Sequence, residues 1–346
     1  MTRVLEASVE DWKKQRILEL TKKIFSSSGI ETRHGVITDF FRDDPSTFDF
    51  FPANWELEPF PSTEERMRVY EQASVELVVE ASQKALGEAD VEPDEITHLV
   101  VCTCTGFFAP GPDVRLVKRL GIRPTVKRTI IGFMGCYAGF NGIRMADQII
   151  RSDPEALVLQ VCVELCSLHF QKKPEPDLIV ANCLFADGCV AAVYGASARH
   201  EAGLADLVAH RSFVETAALD QMAWNIGNHG FEMRLSTRVP RTLEVTTPDF
   251  VSSLLDVAGL SRGQVVNWAV HPGGPKILDA VGGALGLGEN AFADSSAVLR
   301  DFGNMSSATI FFILDRQVRK EENRGPTLAL GFGPGLTVEG AVLSIL

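Results

Sequence analysis

The 346-residue chain contains no Cys-x-x-Cys pair, no long apolar run, no excess of basic residues and no low-complexity linker. Each absence removes a class of protein. Without paired cysteines there is no zinc ribbon and no thioredoxin-type redox motif. The apolar stretches, such as 156–159 and 310–314, fall far short of the ~20 residues that cross a bilayer. Lys and Arg number 33 against 45 Asp and Glu, a net charge of −12, which is no electrostatic footprint for nucleic acid. An anionic ligand would need a basic island working against that charge. The first dozen residues lack the apolar centre of a secretory signal, so the expected compartment is the reducing cytoplasm.

What is present is an alternation of strands and helices. Residues 6–24 have the period of an amphipathic helix. Ser62 and Glu65 make a capping box for a helix from Pro61, and Gly87 offers a stop. Apolar strands are predicted at 96–106, 129–136, 156–166 and 185–194, with a helix over 138–152. The second half repeats this grammar: strands at 265–271, 327–335 and 338–345, a helix over 275–285, and a small-residue loop at 299–308 entering another helix. This predicts an α/β chain of two duplicated halves, 1–205 and 206–346, packed as one body. The connector, about 200–245, is not parsed further.

Three residues stand where chemistry could be done. Cys136 lies between a strand and a helix, in Gly132-Phe-Met-Gly-Cys-Tyr-Ala-Gly139. The helix dipole there is expected to hold its thiol below the free value of about 8.5. His271 ends a strand, followed by Pro272 and two glycines, and Asn304 opens a helix. Singly, these are a core cysteine, a packed histidine and an N-cap. Together they supply a nucleophile and two hydrogen-bond donors for a developing oxyanion, the requirements of acyl transfer. No metal-ligand set is expected. Glu164, an acid in an apolar run, needs partners if buried.

Four stretches give the chain a likeness to a known family: 134–139, 269–276 (Ala-Val-His-Pro-Gly-Gly-Pro-Lys), 301–308 (Asp-Phe-Gly-Asn-Met-Ser-Ser-Ala) and 331–339 (Gly-Phe-Gly-Pro-Gly-Leu-Thr-Val-Glu). It resembles the type III polyketide synthases, the chalcone-synthase-like branch of the thiolase-fold condensing enzymes. The resemblance implies a layered αβαβα thiolase-like fold and a Cys136–His271–Asn304 triad. It implies gatekeeping phenylalanines at Phe185 and Phe231, and a cavity lined by Cys104, Thr105, Ala109, Cys166, His169 and Gly333. It also implies a coenzyme A anchor at Arg33, a homodimer, and no cofactor beyond acyl-CoA and malonyl-CoA as substrates. The stretch 162–170 looks like that of bacterial members taking fatty acyl starters, with Ala109 leaving room for a long chain, so an alkylpyrone or alkylresorcinol is the expected product. The alternatives are a malonyl-CoA or other small starter, a single condensation of the ketoacyl-ACP synthase III type, and a non-catalytic acyl-CoA-binding scaffold. Members of the family usually carry a further strand ahead of the segment that begins here near Glu6. Without it, one sheet edge of the first half is expected to lack a partner.

Overall fold

The computed structural model describes residues 1–9, 11–196 and 203–346. Part of the predicted helix 6–24 and of the connector 200–245 therefore lies outside the described residues. In chain order the elements are α1 (Thr2–Ser8), α2 (Asp11–Ser26), α3 (Thr63–Ala89), β1 (His98–Thr103), α4 (Pro112–Leu120), β2 (Lys127–Gly132), α5 (Ala138–Ser152), β3 (Val158–Leu165), α6 (Pro176–Leu184) and β4 (Asp187–Tyr194). Then follow β5 (Ala205–Val214), β6 (Met222–Gly227), β7 (Gly230–Leu235), α7 (Val239–Ala258), β8 (Asn267–Val270), α8 (Pro275–Leu285), α9 (Ala293–Phe302), α10 (Thr309–Val318), β9 (Gly325–Gly333) and β10 (Thr337–Ile345).

Two sheets carry the fold. The first has the order β2-β1-β3-β4 and the second β5-β10-β9-β8, with a separate β6-β7 hairpin. The duplication is visible in the pairing. β1 runs parallel to β3, which runs antiparallel to β4; β8 runs parallel to β9, which runs antiparallel to β10. The second sheet carries β5 along the outer side of β10. Among the described residues the first sheet has no counterpart to β5, and the outer edge of β4 is open.

The core follows from strands that are apolar on both faces. β3 is buried at every position, as a central strand must be. Between the sheets lie α5 and α10, packing Ala138, Ile143, Ile310 and Ile313 against Val100 and Cys162 on one side and Ala269 and Ala329 on the other. Val78, Val79 and Leu116 of α3 and α4 cover the outer face of the first sheet. Leu254, Leu255 and Val281 of α7 and α8 cover that of the second. The layers are therefore helix, sheet, helix, sheet, helix. No helix of the described residues is long and apolar enough to cross a membrane.

Several predicted boundaries move; the strand expected over 129–136 is Lys127–Gly132, which leaves Cys136 in the loop beyond it. The helix read over 6–24 is two helices. The helix from Ser62 has its capping box but runs past Gly87 to Ala89, where Asp90 takes the left-handed conformation (φ 52°) that ends it. Gly87 lacks the positive φ of a terminating glycine.

Candidate active site

A cavity of about 310 Å³ lies where the two halves meet. Cys136, His271 and Asn304 all line it, together with Phe185, Cys104, Thr105 and Cys166. Each is delivered by the end of a regular element, so the site is built on the sheets.

Cys136 sits two residues ahead of α5, in a loop that β2 feeds. The Gly135 amide donates to Cys104 Sγ at 2.9 Å, and the Ala138 amide turns back to the Gly135 carbonyl at 2.9 Å. Gly135 has φ 94°, and a Cβ there would stand 2.4 Å from Pro334 Cδ. A Cβ on Gly333 would stand 2.6 Å from the Tyr137 ring. The glycines of 331–335 therefore let that loop close directly on the cysteine loop. Phe332 and Pro334 reach the cavity, whereas Gly333, expected in its lining, lies behind it.

His271 follows β8, its amide donating to the Leu330 carbonyl at 2.8 Å. Its ring is buried, and neither ring nitrogen has a partner among the described residues. Asn304 is fixed more tightly. Its amide donates to the Leu184 carbonyl at 2.8 Å, and the Ala186 amide donates to the Asn304 carbonyl at 2.9 Å, a bridge that flanks Phe185. The Asn304 Oδ1 accepts from the Ser306 amide at 2.9 Å, which leaves its side-chain NH₂ to the cavity. Ser306 itself has φ 50°, a strained conformation for a residue with a Cβ, held by that bond.

The electrostatics differ from the sequence-based expectation. Burial pushes the Cys136 thiol up to about 12; hydrogen bonds from Ser306 and Asn304 pull it back only in part, and Glu164 adds a further upward push. Cys136 precedes the helix, and its removal from water outweighs the dipole. Burial also pushes His271 down to about 4. Standing alone, each group is neutral.

Glu164 has no opening onto the cavity. Its carboxyl accepts from the Cys104 amide and the Thr105 hydroxyl, both at 2.9 Å, and from the Ser307 hydroxyl at 2.5 Å. Burial raises it to about 7. It ties the loop after β1 to the loop that holds Asn304.

Five expected residues are placed elsewhere. Ala109 is exposed, in the loop before α4, so it leaves no room in the cavity. His169 is buried behind the wall: its Nε2 donates to the Thr105 carbonyl at 2.7 Å and its Nδ1 accepts from the Phe231 amide at 2.9 Å. Those two bonds make it the neutral Nε2–H tautomer, and burial holds it down at about 3. Phe231 stacks on that ring, centroids 4.2 Å apart, and does not line the cavity. It points to the same face of β7 as Met233 and Leu235, which do line it, but lies two residues too early. Arg33 donates through Nη1 to the carbonyls of Asn182 (2.5 Å) and Phe185 (3.3 Å), so its guanidinium braces the segment carrying Phe185, and Arg33 is not part of the cavity lining. Gly333 is the fifth, as described above.

The hairpin supplies what the sequence reading missed. Met222 and Trp224 of β6 face the cavity beside Met233 and Leu235 of β7, and Trp224 pairs with Met233. The Trp224 Nε1–H donates to the Cys104 carbonyl at 2.8 Å. Alternation at 222/224 and 233/235 was the available signal, inside the unparsed connector. Ser306 and Lys276 also line the cavity.

A polar trio in an apolar cavity between two halves of an αβαβα body defines a condensing enzyme. The family model for the chalcone and stilbene synthase N-terminal domain matches residues 9–198, that for the C-terminal domain matches 207–346, and the chain belongs to this family. It is a type III polyketide synthase with a thiolase-like fold, a family that uses coenzyme A thioesters. The alpha-pyrone synthesis polyketide synthase-like Pks18 of Mycobacterium tuberculosis is 32% identical, the alignment covering 99% of this chain and 86% of that one. Among solved structures, PKS-I of the brown alga Ectocarpus siliculosus superposes with a TM-score of 0.91 at 30% identity, covering 99% of this chain and 93% of that chain. The 1,3,6,8-tetrahydroxynaphthalene synthase of Streptomyces coelicolor gives 0.82 at 29%, covering 96% and 90%.

Proposed function

We propose that this polyketide synthase loads a fatty acyl starter from acyl-CoA onto Cys136, extends it with malonyl-CoA and releases an alkylpyrone or alkylresorcinol. The observation that carries the triad is the shared cavity: Cys136, His271 and Asn304 reach it from three separate loops. His271 takes the Cys136 proton; the thiolate attacks the acyl carbonyl and the coenzyme A thiolate leaves. His271 and Asn304 then donate to the malonyl thioester oxygen. Carbon dioxide departs, and the enolate attacks the acyl-Cys136 thioester, returning the cysteine thiolate and leaving a chain two carbons longer on coenzyme A. After further rounds, an enol oxygen attacking the thioester closes a pyrone, with coenzyme A as leaving group.

The apolar walls, among them Val180, Leu184, Met233 and Phe332, favour an aliphatic starter. The printed name of the mycobacterial relative speaks of alpha-pyrone synthesis, which favours the lactone. The proposal includes a division of labour in which residues 1–205 bring the nucleophile and 206–346 the two donors. It also includes Phe185 as gate, no cofactor, and a homodimer acting in the cytoplasm. The exposed edge strand β2, with Ile130 43% and nearby Phe107 42% accessible, favours the dimer.

The test is mass spectrometry of products from a panel of acyl-CoAs with malonyl-CoA. Pyrones or resorcinols from medium or long starters are expected, with Cys136→Ala forming no acyl-enzyme. Turnover of malonyl-CoA alone across the whole panel would sink the starter assignment.

A further inference from the structure

Three stretches of chain meet behind Phe185 and Asn304. α6 ends at Leu184, directly before Phe185, and α9 ends at Phe302, two residues before Asn304. Both helices therefore bring their last carbonyls, and the negative end of their dipoles, to the place where these two residues hang. The last turn of α6 has no basic residue of its own to answer this. The third stretch is the segment 31–36, which lies outside every helix and strand. The Glu31 and Thr32 amides donate to the Arg300 carbonyl of α9 at 2.8 and 3.1 Å, and the Thr32 hydroxyl donates to the Asp301 carbonyl. At its other end the Asp187 amide donates to the His34 carbonyl at 2.9 Å, and the Val36 amide donates to the Asp187 carboxylate at 2.7 Å. Arg33 stands between these two sets of bonds. Its Nη1 donates to the Asn182 and Phe185 carbonyls at the end of α6. Its stem lies against Gly303, where a Cβ would stand 3.0 Å from Arg33 Cγ and where φ is 74°. One side chain thus grips the carbonyl of Phe185 and packs on the residue before Asn304.

We propose that Arg33 is a positioning residue of the condensing site: set between the ends of α6 and α9, it holds Asn304 where its side-chain NH₂ meets the malonyl thioester oxygen. This rests on the malonyl-CoA reading above. Arg33 does not line the cavity and touches no substrate. It acts through the bridge in which the Asn304 amide donates to the Leu184 carbonyl and the Ala186 amide to the Asn304 carbonyl. Without the guanidinium, the end of α6 loses its cation and Asn304 loses the support under that bridge. Cys136 and His271 hang from other elements, the loop between β2 and α5 and the end of β8. Loss of Arg33 therefore costs the malonyl step, which uses Asn304, and spares the thiol. A donor displaced by a fraction of an ångström lowers kcat and leaves substrate binding largely alone.

The test compares Arg33→Met, Arg33→Lys and Thr32→Val with the unaltered enzyme by three measurements: carbon dioxide release from malonyl-CoA, iodoacetamide alkylation of Cys136, and backbone hydrogen–deuterium exchange. For Arg33→Met, kcat for decarboxylation is expected to fall about tenfold or more, with KM within about twofold. Alkylation at pH 7 should keep its rate. Amides of 184–187 and 302–306 should exchange faster, and those of 138–142 should not. Arg33→Lys can still donate to the two carbonyls and should recover most of kcat. Thr32→Val removes one bond at an exposed position and should move the same quantities the same way by less, which decides the matter if Arg33→Met does not fold. Decarboxylation at the unaltered rate, or decarboxylation and alkylation falling together, would overturn the assignment. Failure of the unaltered enzyme to release carbon dioxide from malonyl-CoA would instead count against the polyketide reading, with the exchange pattern still deciding Arg33.

Discussion

At the scale of single residues, the proposed reactivity of Cys136 depends on His271. Burial alone holds its thiol near 12 and the imidazole of His271 near 4, so neither carries charge unaided at neutral pH. In the proposed mechanism, replacing His271 by Ala removes the base that receives the proton. The rate of iodoacetamide alkylation at pH 7 should then fall by about tenfold or more, and its pH dependence should move to the alkaline side. Unchanged alkylation in the variant would show that the loop alone activates the thiol. The sequence made Cys136, His271 and Asn304 legible because each sits at an element end marked by small residues. Arg33, Phe231 and His169 were placed by the family likeness, and none of them lines the cavity. What decides those side chains is which carbonyl, amide or ring lies above them after folding, and the partners of His169 come from positions 105 and 231.

At the scale of elements, helices 138–152 and 275–285 were legible to the residue because a three-to-four period and clear stops agree. The β6-β7 hairpin was not, since six-residue strands of mixed polarity give a weak signal. Yet this hairpin brings four side chains to the cavity, Met222, Trp224, Met233 and Leu235. Trp224 is locked by its bond to the Cys104 carbonyl and by edge contacts with His169 and Phe231. Trp224→Ala should enlarge the cavity and shift the preferred starter to longer or bulkier acyl-CoAs, read as a changed ratio of kcat/KM across a chain-length series. The fold should survive, because Trp224 is only half-buried. An unchanged ratio would remove Trp224 from the determinants of size.

At the scale of the whole molecule, the repeated strand-and-helix grammar was enough to foresee two α/β halves, and the family likeness added the five layers; among the described residues β4 ends its sheet. The joints between the halves were not foreseeable. Glu164 of β3 is one of them, accepting from Ser307 in the other half. Its carboxyl is raised from 4.5 to about 7, so the fold favours its protonated form. That contribution is complete below about pH 4.5 and is lost as pH rises through about 7. In Glu164→Gln the amide can still accept from Cys104 and Thr105 and donate to Ser307, without ionising. Urea denaturation at pH 5 and pH 8 should show the unaltered protein losing on the order of 2 kcal/mol relative to the variant over that interval. Parallel curves at the two pH values would contradict this.

The bridge between residues 184–186 and Asn304 bears on how such an enzyme can diversify. On the proposed reading, with Phe185 as gate and Asn304 as donor, the two hang from the same two backbone hydrogen bonds, so the opening cannot be widened by shifting the main chain without carrying the Asn304 amide out of place. On that reading, a change of gate width falls to the size and shape of the side chain at 185, which can be exchanged without moving the Asn304 backbone.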